Sequence, residues 1–252
     1  MSKFKYLKIT KNKKIRYLLN TSSGDIYVVF LHGFKSDLEG DKPKTLFKFC
    51  KKNKIGFLAL EYSGHGKSYG KFEDGTITSW TKDAKEIIKR KIPNKKLILV
   101  GSSMGGWIGL NLFKSFGKKI HAFVGIAPAP EFLDRLMWNK FTNKVKKQLI
   151  KDKFHKFNHG GYEYNISYNL IRDGRKNKIF NKKFNNRIFI TILHGQNDDV
   201  VPVSISRKIL KIFTKAKKKL IIIKRGDHSL SKKRNLKKII NEISVIYKKL
   251  KT

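Results

Sequence analysis

Six short apolar runs constrain this chain more than any other feature: Ile26 to Leu31, Ile55 to Leu60, Leu97 to Val100, Ile120 to Ile126, Ile188 to Leu193 and Leu220 to Ile223. They are near-continuous and rich in β-branched residues, and the first four stop at His32-Gly33, Glu61, Gly101 and Ala127. Runs of that length suit strands covered on both faces, the condition of a parallel sheet. Helical spacing lies between them. Thr78 is placed to cap a helix through Trp80, Ala84, Ile87 and Ile88; others are predicted over Met104 to Phe116, Ser204 to Phe213 and Leu236 to Leu250. Strand alternating with helix predicts an α/β fold, a mostly parallel central sheet flanked by helices. Ahead of it, residues 4–9 and 15–19 read as a hairpin. The rhythm breaks between Pro128 and about Arg187, a stretch that holds aromatics, charges and the run HGGYEY at 159–164. So long an interruption predicts an insertion with its own structure, a cap at about 129–186 on a single domain spanning residues 1–252.

Composition narrows the class. With 40% hydrophobic and 12% aromatic residues the chain can bury a sizeable core. The first residues, MSKFKYLKITKNKKIRYLL, lack the apolar centre of a signal peptide, and no apolar run is long enough for a membrane span. The single cysteine, Cys50, excludes an internal disulfide and a cysteine-built metal site. These features together predict a soluble, cytoplasmic protein. The net charge of +40 rests on 49 lysines among 58 basic residues, accompanied by 29 isoleucines and 17 asparagines, as an AT-rich coding bias would produce. A phosphate-reading surface leans on arginine and gathers its charge, whereas here lysine pairs run the whole length, from Lys51-Lys52 to Lys217-Lys219. The expectation is a solvated lysine coat with no specific nucleic-acid partner, whose field can still attract anionic substrates.

Chemistry is carried by Gly101-Ser102-Ser103-Met104-Gly105, which follows the apolar run KKLILV and opens a predicted helix. G-x-S-x-G in that setting is a nucleophile elbow: a strained strand-to-helix turn lifts Ser103 above the sheet at a helix N-terminus. A serine hydroxyl needs a base, and His228 follows the last apolar run in Gly226-Asp227-His228-Ser229. A carboxylate must orient that histidine; Asp198 and Asp199, both just past the fifth run, compete for the role. The order serine, aspartate, histidine is that of the α/β hydrolases, and all three sit past strand C-termini, where such sheets place their sites. Backbone N–H groups of Met104 and of Phe34, in His32-Gly33-Phe34, are assigned to the oxyanion hole, with His32 structural.

The motifs HGFKSD, EYSGHGKS, FEDGTITSW, GSSMGGW, APAPEFLDRLMW and GDHSLS, in this order, resemble one branch of the α/β-hydrolase superfamily. It is the branch of the mitochondrial palmitoyl-protein thioesterase, also described as an acyl-glucuronide esterase, and its bacterial relatives. The resemblance covers about residues 26 to 240 and is weakest between 140 and 185. It implies the α/β-hydrolase fold, Ser103 as nucleophile, His228 as base and Asp198, in HGxxDxxVP, as acid. It implies an acyl hydrolase acting on a small-molecule or acylated-protein substrate without metal or organic cofactor. A carboxylesterase for small esters or acyl glucuronides is one alternative; a non-catalytic basic binding protein on the same scaffold is another.

Other features carry less. Gly66-Lys67-Ser68 matches the end of a phosphate-binding loop, but the glycine required five residues earlier is Glu61. His155 and His159 have metal-ligand spacing without the accompanying glutamate and are read as a polar loop. His65 is read as a turn residue, and Glu73 and Asp74 as charges suited to a helix start. Phe132, Leu133, Leu136, Met137, Trp138 and Phe141 predict an amphipathic helix in the cap, and Phe132, Met137 and Trp138 are candidates for an acyl-binding wall.

Overall fold

Residue-by-residue alternation along the inner strands divides the protein into layers. Tyr27, Val29 and Leu31 join one buried cluster, while Ile26, Val28 and Phe30 join another, because successive side chains on a strand point to opposite faces. The structure, a computed structural model, describes residues 4–159 and 162–251. Gly160 and Gly161 of the HGGYEY run lie outside that description, as do the side chains of residues 157–159 and 162–164, the His159 ring among them.

Eight strands form the main sheet: β1 (Lys5–Thr10), β2 (Lys13–Asn20), β3 (Ile26–Leu31), β4 (Gly56–Leu60), β5 (Lys96–Ser102), β6 (Ile120–Ile126), β9 (Phe189–Gly195) and β10 (Lys217–Ile223), in the order β1-β2-β4-β3-β5-β6-β9-β10. The six from β4 to β10 are mutually parallel, and the β1–β2 hairpin is antiparallel at one edge. At the other edge β10 starts three residues before its apolar part. Lys217 to Lys219 pair with Phe189 to Thr191 while their side chains remain in solvent, a charged edge of the kind that resists pairing with other chains.

Helices α2 (Ile77–Lys91), α3 (Met104–Phe116) and α6 (Val203–Ile212) pack into the cluster that holds Val29 and Leu31; α1 (Asp41–Lys52) and α7 (Lys233–Lys251) pack into the one that holds Val28 and Phe30. The expected helices at 104–116, 204–213 and 236–250 are present. The cap of α2 is Thr76, not Thr78. Thr76 Oγ1 accepts from Ser79 N–H and Ser79 Oγ accepts from Thr76 N–H, a reciprocal box that places buried Ile77 inside the helix. Helix α1 has too little apolar content to announce itself, burying Pro43, Leu46 and Cys50. Burial pushes the Cys50 thiol up to about 12, so it behaves as a small apolar side chain.

Between β6 and β9 lie α4 (Asn143–Asp152), an antiparallel pair β7 (Phe154–His159) and β8 (Tyr162–Ser167), and α5 (Tyr168–Lys176). The amphipathic helix expected around Leu133 is a correction: Leu133–Met137 forms one π-helical turn and Trp138–Lys140 one 3-10 turn. Residues four apart stack over each other in a single wide turn as they do in an α-helix, so Leu133 and Met137 are buried in either case. The turn starts from Glu131, at φ 60, whose carboxylate accepts from Ile179 and Phe180 N–H at 2.8 and 2.9 Å and pairs with Arg135. The segment is also clasped to the sheet domain by Asp173, which accepts from Thr78 N–H and Oγ1 at 2.8 and 2.6 Å. No helix among the described residues is long and apolar enough to cross a membrane.

Candidate active site

Ser103 stands between β5 and α3 with φ 51 and ψ −118, a strained conformation for a residue with a side chain. Three backbone bonds hold it there: its N–H donates to Ile126 O, and its carbonyl accepts from Gly106 and Ala129 N–H, all between 2.9 and 3.0 Å. The turn closes only over glycine. A Cβ on Gly105 would lie 2.0 Å from the Leu31 carbonyl oxygen, and one on Gly101 would lie 2.6 Å from Gly105 O.

The structure brings the other two predicted side chains to Ser103. His228 Nε2 is 3.0 Å from Ser103 Oγ, and His228 Nδ1 is 2.8 Å from Asp198 Oδ2. A carboxylate accepts only, so Nδ1 carries the proton and Nε2 presents its lone pair to the hydroxyl. Asp198 lies in the turn after β9, its side chain fully buried, with Oδ1 accepting from Val200 and Val201 N–H at 3.0 and 2.8 Å. Burial works against its charge, but donation from His194 and His228 and the Val201 N–H outweighs it and holds the carboxyl well below the usual carboxylate range. The competitor Asp199 is exposed, and α6 begins after Pro202 without a side-chain cap, so neither aspartate caps that helix.

The loop that bears His228 is pinned from two sides. Asp227 Oδ1 accepts from Leu230 N–H at 2.8 Å, and Lys42 Nζ, from the first turn of α1, donates to Ser229 O at 2.5 Å and Ser231 Oγ at 3.0 Å. Burial lowers the Lys42 ammonium to about 8, opposed by Asp227 and Asp41.

Gly33 packs on the serine, its Cβ direction ending 3.4 Å from Ser103 Cβ, which places the neighbouring Phe34 beside the elbow. The Phe34 ring meets Phe72, Trp80 and Phe132 edge-on at 4.9, 6.1 and 5.4 Å. His32 is buried, with Nδ1 on Gly33 O at 2.8 Å, and burial lowers it to about 4. His65 packs against His32 and Trp80; burial, with His32 as a like-charged neighbour, lowers it to about 3. Both rings are neutral packing elements behind the Gly33–Phe34 loop. Of the proposed acyl wall, Phe132 reaches Phe34 and Trp107. Met137 is buried in the core, and the Trp138 ring is engaged by Tyr168, Lys146 and Arg175. Glu61, at the failed phosphate-loop position, accepts from Leu38 and Lys67 N–H and so ties that turn to the Gly33–Leu38 loop.

Sequence reasoning missed two groups at the site, Lys42 and His194. The signal for His194 is a polar residue at a fully buried position next to the end of β9, four residues before Asp198. Lys42 carried none, being one lysine among 49.

Comparison with known proteins identifies the family and the fold. The family model Hydrolase_4, serine aminopeptidase S33, matches residues 24–155, just over half of the chain. The mitochondrial palmitoyl-protein thioesterases ABHD10 of Homo sapiens and Mus musculus are each 28% identical over 229 residues, covering 89% of this chain and 74% and 76% of theirs. A crystal structure from Agrobacterium vitis S4 superposes with a TM-score of 0.90 at 26% identity, covering 98% of both chains. Mouse α/β hydrolase domain-containing protein 10 superposes at 0.88 and 24% identity over 99% of this chain and all of its own. Est1E from Butyrivibrio proteoclasticus, bound to ferulic acid, does so at 0.79 and 20% over 98% of this chain and all of its own. The fold is the α/β-hydrolase fold.

Proposed function

The chain belongs to the serine aminopeptidase S33 family of α/β hydrolases, and from that premise we propose that it is a serine hydrolase cleaving an ester or thioester through an acyl-enzyme, of the palmitoyl-protein thioesterase type. The observation that carries this reading is the unbroken chain Ser103 Oγ–His228 Nε2 and His228 Nδ1–Asp198 Oδ2, at 3.0 and 2.8 Å. In it His228 accepts the Ser103 proton as Oγ attacks the carbonyl carbon, and Asp198 stabilises the imidazolium that forms. The N–H groups of Phe34 and Met104 hold the oxyanion, each such donor contributing about 3 kcal/mol to the transition state. His228 then protonates the departing thiol or alcohol. A water molecule, deprotonated by the same imidazole, attacks the acyl carbon and releases Ser103.

Support for an apolar acyl group comes from the Phe34–Phe132 contact beside the elbow and from the ABHD10 relatives. The test has two stages. Purified protein is treated with a fluorophosphonate probe beside Ser103→Ala; labelling of the wild type alone supports an activated serine, and no labelling of a folded wild type removes the reading. Matched long and short acyl thioesters and oxyesters then distinguish a thioesterase from a carboxylesterase for small esters.

A further inference from the structure

Behind the acid lies a second serine–histidine pair. His194, at the end of β9, has a fully buried side chain. Its Nε2 is 2.8 Å from Val201 O and 3.1 Å from Asp198 Oδ2, and its Nδ1 is 2.7 Å from Ser206 Oγ on α6. A backbone carbonyl only accepts, so the proton is on Nε2, shared between Val201 O and Asp198 Oδ2. Nδ1 is then a lone pair that receives the Ser206 hydroxyl proton. Ser206 thereby fixes the tautomer in which His194 can serve the carboxylate.

We propose that His194 is a positioning residue for the proposed hydrolytic site, holding Asp198 Oδ2 in line with His228 and taking part of its charge, with Ser206 setting the His194 tautomer. The inference rests on the reading of Ser103, His228 and Asp198 given above. The pair is not a second catalytic centre, because Ser206 and His194 are both fully buried and no substrate reaches them. Each Asp198 oxygen has two donors: Val200 and Val201 N–H on Oδ1, His194 and His228 on Oδ2. Val201 is bound on both sides, its N–H by Asp198 and its carbonyl by His194. The ring therefore locks the turn as well as the carboxylate. Losing one of two donors beside Oδ2 leaves more of the carboxylate's negative charge to the remaining one, which strengthens the His228 Nδ1–H···Oδ2 bond. Two titratable side chains reach Asp198 among the described residues, His194 from β9 and His228 from the loop after β10; Asp227 and Lys42 stand behind that loop.

His194→Phe keeps the ring volume and removes the donor, and His194→Gln restores an N–H near the Nε2 position. For His194→Phe we expect kcat to fall about tenfold or more with little change in KM, the acid limb of kcat/KM to move to higher pH, and His194→Gln to recover most of both. Unchanged kcat and an unmoved acid limb in a folded His194→Phe would overturn the proposal. Should that variant not fold, Ser206→Ala leaves the imidazole in place, and it must move the limb in the same direction by a smaller amount or the proposal fails. The His228 Nδ1–H resonance, read by proton NMR in Ser103→Ala protein, needs no turnover. It should shift downfield with His194→Phe, and an unmoved resonance overturns the inference even where the wild type shows no hydrolysis.

Discussion

The Phe34 ring meets the Phe132 ring edge-on at 5.4 Å, so the loop after β3, proposed to offer one oxyanion N–H, and the segment that leaves β6 touch beside the serine. Phe132→Ala should lower kcat/KM for a long-chain acyl thioester five- to thirtyfold more than for an acetyl ester, corresponding to about 1–2 kcal/mol of lost apolar contact. Equal losses on both substrates would assign Phe132 to packing alone.

Gly105 should tolerate no side chain. A methyl group there would stand 2.0 Å from Leu31 O, and the obstacle is backbone, which cannot step aside. Gly105→Ala is expected to lose fluorophosphonate labelling, or the fold itself, by opening the elbow. Gly24→Ala, whose nearest neighbour would be Ser22 Oγ at 3.5 Å, should label and melt like the wild type.

Acid should weaken the protein before it reaches the carboxylates. His32 is lowered from 6.5 to about 4 and His65 to about 3. The unfolded chain therefore binds protons that the folded one refuses, and stability present above pH 6.5 drains as pH falls through that window. His32 alone accounts for about 3 kcal/mol of this loss. Denaturant melts between pH 7 and 4 should show the decline, and His32→Asn should flatten it; a slope unaffected by that substitution would count against buried neutral rings. Asp198, held low, adds a further loss only at more acidic pH, because a carboxylate with a depressed folded value contributes stability above its unfolded value.

Lys42 behaves in the opposite range of pH. Its folded value of about 8 lies below the ordinary 10.5, so between those values the unfolded chain holds the extra proton and stability rises with pH. Lys42→Met should remove that rise. It should also reduce turnover several-fold by freeing the Ser229 carbonyl and the loop that presents His228, and a variant with wild-type kcat would show that Asp227 pins the loop unaided.

Which parts of the molecule could be read in advance follows from how each is held. Strands β3 to β6 were plain because burial on both faces demands unbroken apolar runs, and Ser103, Asp198 and His228 because each follows such a run. Helix α1 was hidden because three buried residues set no visible period. The start of β10 was hidden because parallel pairing extends into Lys217 to Lys219 with no side-chain signature. The π turn at Leu133–Met137 shares its four-residue spacing with an α-helix. Thr76 and Thr78 are equivalent caps until the burial of Ile77 chooses between them. The His194 bond to Asp198 depends on two rings and a turn meeting in space, which spacing does not encode.

Cys50 has a use that its silence in the chemistry conceals. It is fully enclosed on the buried face of α1 with its thiol pushed up to about 12, so at neutral pH a maleimide finds no reactive native thiol. A pair of cysteines introduced at Ile150 and Val245, both already exposed, could carry two dyes while the native Cys50 stays in place. The distance between α4 and α7 would then be readable one molecule at a time while substrate enters and leaves.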